Sequence, residues 1–281
     1  MMRLVAVLAC VLAAAVPAAA ARRPLVPVFR HVVVVVFENK ERGEVAGAPT
    51  FARLARRYAS LTRYDAVAHP SLPNYLALVS GSTQGISDDC TDCVVDASSL
   101  ADTLTAAHRT WKTYAEGLPS PGWTGAFAGH YAKKHDPFLY FRSVLDDPTQ
   151  AKRVVPYAQL RRDLGAGRLP DFALVVPDLC HDMHDCPVAT GDEWLRTQIV
   201  PLLTKPVLAG SVVFVVFDEG TTAVGGGGNV AALVLGPLVR PGAISAQPSS
   251  HYGLLRTIED AWRLPRIGKS AQVRPITGIW K

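Results

Sequence analysis

The chain has 281 residues, of which 49% are hydrophobic and 19% are charged, and its formal net charge is +5. This length fits one α/β domain that follows a short leader. The basic residues are scattered and do not alternate with aromatic residues, so the composition argues against a nucleic-acid partner. A mildly basic surface instead favours small anionic substrates.

The first 21 residues have the pattern of an export signal. Arg3 precedes an apolar run over residues 4–16, and Pro17 and a run of alanines follow. This run is too short and too rich in alanine to span a bilayer, and no later segment is long enough, so we expect no stable membrane insertion. We expect cleavage near Ala20 or Ala21, which removes Cys10. The result is a secreted or cell-envelope protein with a single domain over residues 22–281.

Strand-like and helix-like segments alternate along this domain. Runs rich in β-branched residues predict strands at 31–37, 110–115, 171–176, 211–217 and 229–235. Segments with helical periodicity predict helices at 50–58, 98–108, 157–164, 193–203 and 252–262, with a further helix that opens near Ser71. The alternation predicts an α/β fold with three layers, in which helices cover both faces of a mostly parallel central sheet. Residues 116–156 are irregular and rich in aromatic residues, and we expect a cap over the site there.

Ser71 directly precedes an apolar turn in the segment 69–81, HPSLPNYLALVSG. Pro73 fits the first turn of a helix, where its missing N–H has no intrahelical partner to lose. The N–H groups at a helix N-terminus favour anions, so a serine there suits a phosphate site or a nucleophile. Serine is also a common capping residue, and the position alone leaves that alternative open.

Four cysteines remain after the leader. Their even number in an exported chain and their short spacings predict two disulfides, Cys90–Cys93 and Cys180–Cys186. The alternative is a zinc site, but the two pairs lie far apart in sequence and an oxidising compartment disfavours thiolate ligands.

Three predicted strands end in side chains of the metal-ligand type. These ends are Glu38-Asn39, Asp178 with the following residues 181–185, and Asp218-Glu219. Because the carboxyl ends of parallel strands meet at one edge of a sheet, these acids would repel one another without a cation. Oxygen ligands favour a divalent ion such as Mg²⁺, Ca²⁺ or Mn²⁺. For any single acid, a helix cap or a loop turn is the alternative.

Five motifs stand in an order typical of one known family: residues 37–40 (FENK), 69–81, 182–185 (DMHD), 217–220 (FDEG) and 251–252 (HY). The chain resembles the bacterial and fungal acid phosphatase and phospholipase C phosphoesterases of the alkaline phosphatase superfamily, over nearly all of the exported chain. The resemblance implies an alkaline-phosphatase-like sheet and hydrolysis of phosphate esters. Monoesterase and phosphodiesterase or phospholipase C activity both stay open, and the short chain favours a small monoester.

The resemblance also implies roles for individual residues. One divalent metal would be bound by Glu38, Asn39, Asp218 and Glu219, and Ser71 would be both a metal ligand and the nucleophile. In-line attack would give a phosphoserine that water hydrolyses. The candidates for the proton donor to the leaving oxygen are His135, His184 and His251. We also expect His69, Asn74 and Asp182 at the substrate, although His69 could instead orient its loop. His181 stands where the family often has Asn, which leaves its role open.

Two other classes fit the sequence less well. No G-x-S-x-G elbow is present, which argues against an α/β-hydrolase esterase. A non-catalytic solute-binding protein would fit the export signal and the α/β pattern, but it would not need acids at three strand ends. Metal-dependent turnover of para-nitrophenyl phosphate distinguishes it from an enzyme.

Overall fold

The computed structural model describes residues 25–281, so the predicted leader over residues 1–21 and Cys10 lie outside the described residues. The strands are β1 Val32–Phe37, β2 Ala59–Leu61, β3 Tyr64–Asp65, β4 Trp111–Ala115, β5 Phe127–Ala128, β6 Tyr131–Ala132, β7 Val154–Pro156, β8 Phe172–Val176, β9 Val212–Phe217, β10 Ala232–Leu235, β11 Ala243–Ser245 and β12 Ser249–Ser250. Eight of them form one sheet in the order β11-β2-β10-β9-β1-β8-β4-β7, while β3 pairs with β12 and β5 with β6.

The helices are α1 Arg42–Val45, α2 Pro49–Arg57, α3 Ser71–Ser80, α4 Leu100–Ala106, α5 Arg142–Leu145, α6 Pro148–Ala151, α7 Ala158–Gly165, α8 Val188–Trp194 and α9 His251–Trp262. Helix α3 packs against α9 and α4, and α2 packs against α8. After α8 the chain continues as a π-helical turn and then a 3₁₀ turn. Pro201 lies in that last turn and has no N–H to donate to an α-helical bond, so the predicted helix 193–203 changes type along its length.

The centre of the sheet is parallel. Strand β1 pairs in parallel with β8 on one side and with β9 on the other, so that Val34 lies beside Leu174 and Phe214. All six residues of β1 are buried, as expected for a β-branched run with neighbours on both faces. Within the eight-stranded sheet of the described residues, β10 is antiparallel to both of its neighbours, β2 and β9, and the other neighbouring pairs are parallel. The mostly parallel sheet with helices around it confirms the predicted α/β class.

The ends of β1, β8 and β9 bring the acidic motifs together. Backbone N–H of Glu38 donates to the carbonyl of Asp182 at 2.9 Å, and the N–H of Asp218 donates to the carbonyl of Phe37 at 2.9 Å. The segments after all three central strands are therefore joined to one another by main-chain hydrogen bonds. This edge of the sheet carries the candidate site.

Three strands of the sheet were not predicted. Strands β2, β7 and β11 have three residues each and lie toward the two ends of the sheet, so they lack the long apolar runs of the central strands. Strand β7 falls inside the irregular segment 116–156, and Phe138, Tyr140 and Phe141 of that segment are buried in the core. Part of the segment thus belongs to the sheet and its core, and a cap formed by the rest stays a prediction. None of the described helices is long and apolar enough to cross a bilayer.

Candidate active site

Ser71 is the first residue of α3, and its side chain is buried. Its hydroxyl donates to Glu38 Oε2 at 3.0 Å and lies 3.4 Å from Glu219 Oε1. The N-terminus of α3 is capped by a different residue, since Asp89 Oδ1 accepts from the N–H of Leu72 at 2.9 Å. The Ser71 hydroxyl therefore faces the carboxylates at the strand ends. It does not cap the helix, which was the alternative left open in the sequence analysis.

The acids around Ser71 are buried close to one another. Burial, with the neighbouring Asp182 carboxylate, raises the pKa of Glu38 to about 8. Burial, with the charges of Glu38 and Glu219, holds the pKa of Asp218 well above its usual range. Like charges this close disfavour ionisation unless a cation offsets them. A bound cation would therefore stabilise the ionised form of these carboxylates.

Two further oxygen atoms support a cation at this edge. Among the described residues, Asn39 Oδ1 and Asp218 Oδ2 are buried and have no hydrogen-bond partner. The backbone N–H of Asn39 donates to the other oxygen of Asp218 at 3.2 Å, which holds the two side chains near each other. Buried oxygens without partners are costly, and carboxylate and amide oxygens are the ligands that hard divalent cations prefer. The donor set predicted from the sequence therefore fits a divalent metal.

Glu38 also faces a second group of possible ligands. Its Oε1 accepts from the Tyr75 hydroxyl at 2.6 Å and lies 3.3 Å from His135 Nε2. His135 Nδ1 lies 3.4 Å from Asp182 Oδ2. Glu38, His135 and Asp182 offer ligand atoms within 4.8 Å of one another, close enough to hold a metal ion. The sequence analysis predicts His135 as a proton donor and Asp182 at the substrate. It does not predict that these two residues and Glu38 form a group of possible metal ligands.

His135 is held tightly beside Glu38. Its ring stacks on Tyr75 with ring centroids 5.0 Å apart and an interplanar angle of 13°. Burial, with the nearby charge of Lys134, holds the pKa of His135 well below its usual range. The ring is therefore neutral in this environment, which suits a ligand or a hydrogen-bond partner better than a proton donor.

The structure differs from the sequence expectation for His251. Its Nε2 donates to the carbonyl of Asp218 at 2.6 Å, and its Nδ1 accepts from the Tyr64 hydroxyl at 3.1 Å. Burial lowers the pKa of His251 to about 4. Because both ring nitrogens are bonded within the protein, the geometry supports a role in positioning Asp218 and not the predicted proton transfer.

His184 is the most accessible of the three candidate donors. Its Nδ1 lies 2.7 Å from Asp185 Oδ1, and its ring centroid lies 6.4 Å from that of His135. Its backbone N–H donates to Asp182 Oδ1 at 2.8 Å, which ties His184 to the site. A carboxylate at Nδ1 orients the imidazole and leaves Nε2 for another group.

Asn74 and His69 form their contacts within the protein. Asn74 Oδ1 accepts from the N–H groups of Val67 and Ala68, and its Nδ2 donates to the carbonyls of Ala68 and Pro70. His69 Nδ1 contacts the Glu219 carboxylate, and its Nε2 donates to the Thr222 carbonyl at 2.9 Å. Both side chains were expected at the substrate, but these contacts indicate that they organise the loop that leads into Ser71.

Two residues near Ser71 were not predicted. Lys134 Nζ donates to Asp89 Oδ2 at 2.9 Å and lies 3.4 Å from Ser71 Oγ. The sequence analysis describes the basic residues as scattered and does not single out Asp89. The available signal was the position of Lys134 directly before His135.

His181 belongs to a separate cluster. Its Nδ1 lies 3.0 Å from Glu116 Oε2 and 3.2 Å from Asp178 Oδ1, and its ring stacks on Trp194. Glu116 and Asp178 follow β4 and β8, so the cluster lies at the same edge of the sheet. His181 thus contacts Asp178, which precedes it at the same strand end, and Glu116, which the sequence analysis does not connect to it.

Both predicted disulfides are present, Cys90–Cys93 with Cα atoms 5.9 Å apart and Cys180–Cys186 with Cα atoms 4.7 Å apart. The second one closes the segment that carries Asp182 and His184. The first follows directly after Asp89.

The family model described as the Phosphoesterase family matches residues 44–265. The chain belongs to the Phosphoesterase family. It is 34% identical to the phosphatidylinositol-3-phosphatase of Mycobacterium tuberculosis over 95% of this chain and 88% of that protein. It is 28% identical to an acid phosphatase of Aspergillus fumigatus over 90% of this chain, and it spans 60% of the length of that relative.

The solved structures agree on the fold. An alkaline phosphatase superfamily protein from Vibrio parahaemolyticus matches with a TM-score of 0.56 and 12% identity, over 90% of this chain and 72% of that chain. Murine ectonucleotide pyrophosphatase/phosphodiesterase 5 matches with a TM-score of 0.56 and 11% identity, over 87% of this chain and 99% of that chain. The resemblance stated from the five motifs is confirmed, and the family is one of hydrolases that act on phosphoric ester bonds.

Proposed function

We propose that this protein is a secreted, metal-dependent phosphatase that hydrolyses phosphate monoesters through a phosphoserine at Ser71. The observation that carries the proposal is the Ser71 hydroxyl at the N-terminus of α3, 3.0 Å from Glu38 Oε2. The names of the mycobacterial and fungal relatives describe phosphatases, which supports the monoester reaction. The leader pattern and the two disulfides support export.

The metal in this proposal is one divalent ion, with Mg²⁺, Ca²⁺ and Mn²⁺ as candidates. Glu38, Asn39, Asp218 and Glu219 would hold it, with Ser71 beside them. When bound, the ion supplies positive charge that polarises a phosphoryl oxygen and favours the deprotonated serine. The buried oxygens of Asn39 and Asp218 that lack partners support this choice of ligands.

The protein side chains supply the nucleophile and the proton transfers. The Ser71 Oγ–phosphorus bond forms while the bond from phosphorus to the alcohol oxygen breaks. The Ser71 proton leaves toward Glu38 Oε2, to which the hydroxyl already donates. His184 is the proposed donor to the departing alcohol, because His251 uses both ring nitrogens and His135 is buried. Water then forms a bond to phosphorus and gives its proton to His184, while the bond from phosphorus to Ser71 Oγ breaks and Glu38 returns its proton to the serine.

The test is a substrate panel on the purified exported protein. The panel holds para-nitrophenyl phosphate, bis(para-nitrophenyl) phosphate and vesicles with phosphatidylinositol 3-phosphate, each with metal and after chelation. The lipid is included because the mycobacterial relative is named for it. We expect monoester turnover that chelation removes and a divalent metal restores.

Ser71→Ala tests the nucleophile. It should abolish turnover, while Ser143→Ala, at an exposed serine, should change nothing. Acid quench and mass spectrometry should find phosphate on the peptide that contains Ser71. Rates for Ser71→Ala within a few-fold of the unmodified protein would refute the assignment.

A further inference from the structure

Lys134 lies unusually close to the hydroxyl of Ser71. It belongs to the 3₁₀ turn Lys133–His135 that follows the β5–β6 hairpin, and its side chain is 12% exposed. Its ammonium nitrogen is 2.9 Å from Asp89 Oδ2 and 3.4 Å from Ser71 Oγ. An ammonium has three N–H donors, and these two contacts account for two of them. One donor is left for a ligand at Ser71.

Asp89 fixes the ammonium relative to α3. One carboxylate oxygen accepts from Lys134, and the other accepts from the N–H of Leu72, the residue after Ser71. The same side chain thus holds both the helix N-terminus and the lysine. A shift of Lys134 relative to Ser71 would break one of these two bonds.

Lys133 shows what a purely structural lysine looks like in the same turn. Its side chain is also buried, its Nζ donates to the Thr91 carbonyl at 2.8 Å, and it lies over the Tyr140 ring at 4.4 Å. Both lysines therefore attach the turn to the loop that holds the Cys90–Cys93 disulfide. Lys134 differs in that it also faces the serine hydroxyl.

The negative charge of the site calls for a cation in addition to the metal, and Lys134 can supply it. With the proposed divalent ion bound, the carboxyls of Glu38, Asp218 and Glu219 would be ionised, and their three negative charges would exceed the two positive charges of the ion. A phosphate monoester brings up to two further negative charges, while a diester brings one. A dianion therefore needs an additional cation more than a monoanion does, and Lys134 is the cation beside the nucleophile.

We propose that Lys134 is a catalytic residue that binds a non-bridging phosphoryl oxygen at Ser71, favours monoesters over diesters, and is positioned by Asp89. This rests on the proposed function, in which Ser71 is the nucleophile. Lys134 keeps all its protons while the Ser71 Oγ–phosphorus bond forms and the bond to the alcohol breaks. Its fixed donor stabilises the charge on the phosphoryl oxygens in the transition state.

The experiment compares Lys134→Met with Lys133→Met in the metal-loaded exported protein. We expect Lys134→Met to lower kcat/KM for para-nitrophenyl phosphate roughly 100-fold, the usual effect of losing one such donor. The loss for bis(para-nitrophenyl) phosphate should be smaller. Lys134→Met should also weaken inorganic phosphate binding by calorimetry, whereas Lys133→Met should leave phosphate binding and the monoester-to-diester ratio unchanged. Lys134→Arg should recover part of the monoester rate.

Several outcomes overturn the proposal. Monoester rates for Lys134→Met near those of the unmodified protein would overturn it, as would equal losses for Lys134→Met and Lys133→Met with unchanged phosphate binding. If Lys134→Met fails to fold, Asp89→Asn decides, because it keeps an acceptor for Leu72 but weakens the hold on Lys134. A monoester-to-diester ratio unchanged in Asp89→Asn would then refute the idea.

Ser71→Ala, assayed in parallel, separates the two proposals. If it is inactive while Lys134→Met is active, only the role of Lys134 fails. If Ser71→Ala is active, the proposed function fails and the role of Lys134 fails with it.

Discussion

Replacing Asn74 distinguishes a residue that positions the active-site loop from one that binds substrate. The Asn74 amide makes four hydrogen bonds to backbone groups at residues 67, 68 and 70, at 2.8–3.2 Å. In Asn74→Ala these backbone groups lose their hydrogen-bond partner. Because the Asn74 side chain is buried, water does not readily replace it. The perturbation therefore removes the bonds that shape the entry into Ser71, without touching an ionised group.

The size of the effect follows from those four bonds. A hydrogen bond contributes about 1 kcal/mol net, and a buried group left without a partner costs more, so we expect a loss of about 3–5 kcal/mol in the free energy of unfolding. For a chain of this size each kcal/mol shifts the melting temperature by roughly 2–4 °C. Asn74→Ala should therefore melt well below the unmodified protein and should lose kcat because Ser71 is misplaced.

The assay is denaturant unfolding together with calorimetric binding of inorganic phosphate under folding conditions. Asn229→Ala is the matched control, because its amide makes two bonds, to the Tyr64 carbonyl and to Asp65 Oδ1, and should cost about half as much. The expected result is a large loss of stability with phosphate affinity retained in the folded protein. Full stability with weakened phosphate binding would refute the positioning role and restore the sequence expectation that Asn74 binds substrate.

Asp218→Asn should weaken metal binding and activity together, because it removes a charge that offsets the cation; full activity in chelated protein would contradict the metal site. The hydrogen bonds from Lys112 and Tyr114 outweigh burial and lower the pKa of Asp163 below its ordinary value of 3.8. A lowered pKa gives stability that is present above the unfolded-state value and lost as the pH falls through the lowered one, so the stability difference between the unmodified protein and Asp163→Asn should shrink in urea titrations as the pH falls below 3.8. Reduction of Cys180–Cys186 should lower activity more than melting temperature, because its loop is short and carries His184. Equal activity in the reduced protein would show that the disulfide does not hold His184 in position.

The central sheet and the acids at its edge were predictable from the sequence because both depend on local patterns. The valine run of β1 is buried on both faces wherever it lies in a parallel sheet, and Glu38 follows it by one residue. Asp218 follows β9 in the same way. Once the strands are parallel, their ends must meet, so the proximity of Glu38 to Asp218 needs no knowledge of the loops.

The roles of the loop residues were not predictable, because each depends on contacts between distant segments. Asp89 and Lys134 meet across 45 residues of chain, from a loop and a 3₁₀ turn that have no periodic pattern. His251 stands in a motif typical of the family, yet its two ring nitrogens are bonded to the Tyr64 hydroxyl and the Asp218 carbonyl. A sequence motif shows that a histidine is present. Whether one of its ring nitrogens is free to transfer a proton depends on the groups that contact the ring in the folded protein.

The contacts of Glu38 connect these observations. One carboxylate oxygen accepts from Ser71, and the other accepts from Tyr75 and faces His135. A change in the charge of Glu38 therefore affects both Ser71 and His135. Burial raises the pKa of Glu38 to about 8, so without a cation the carboxyl is mainly neutral at pH 7. A cation at either oxygen favours the ionised form, which is the form that can accept the proton of Ser71. In this arrangement, binding of the proposed metal and deprotonation of the proposed nucleophile Ser71 both depend on the Glu38 side chain.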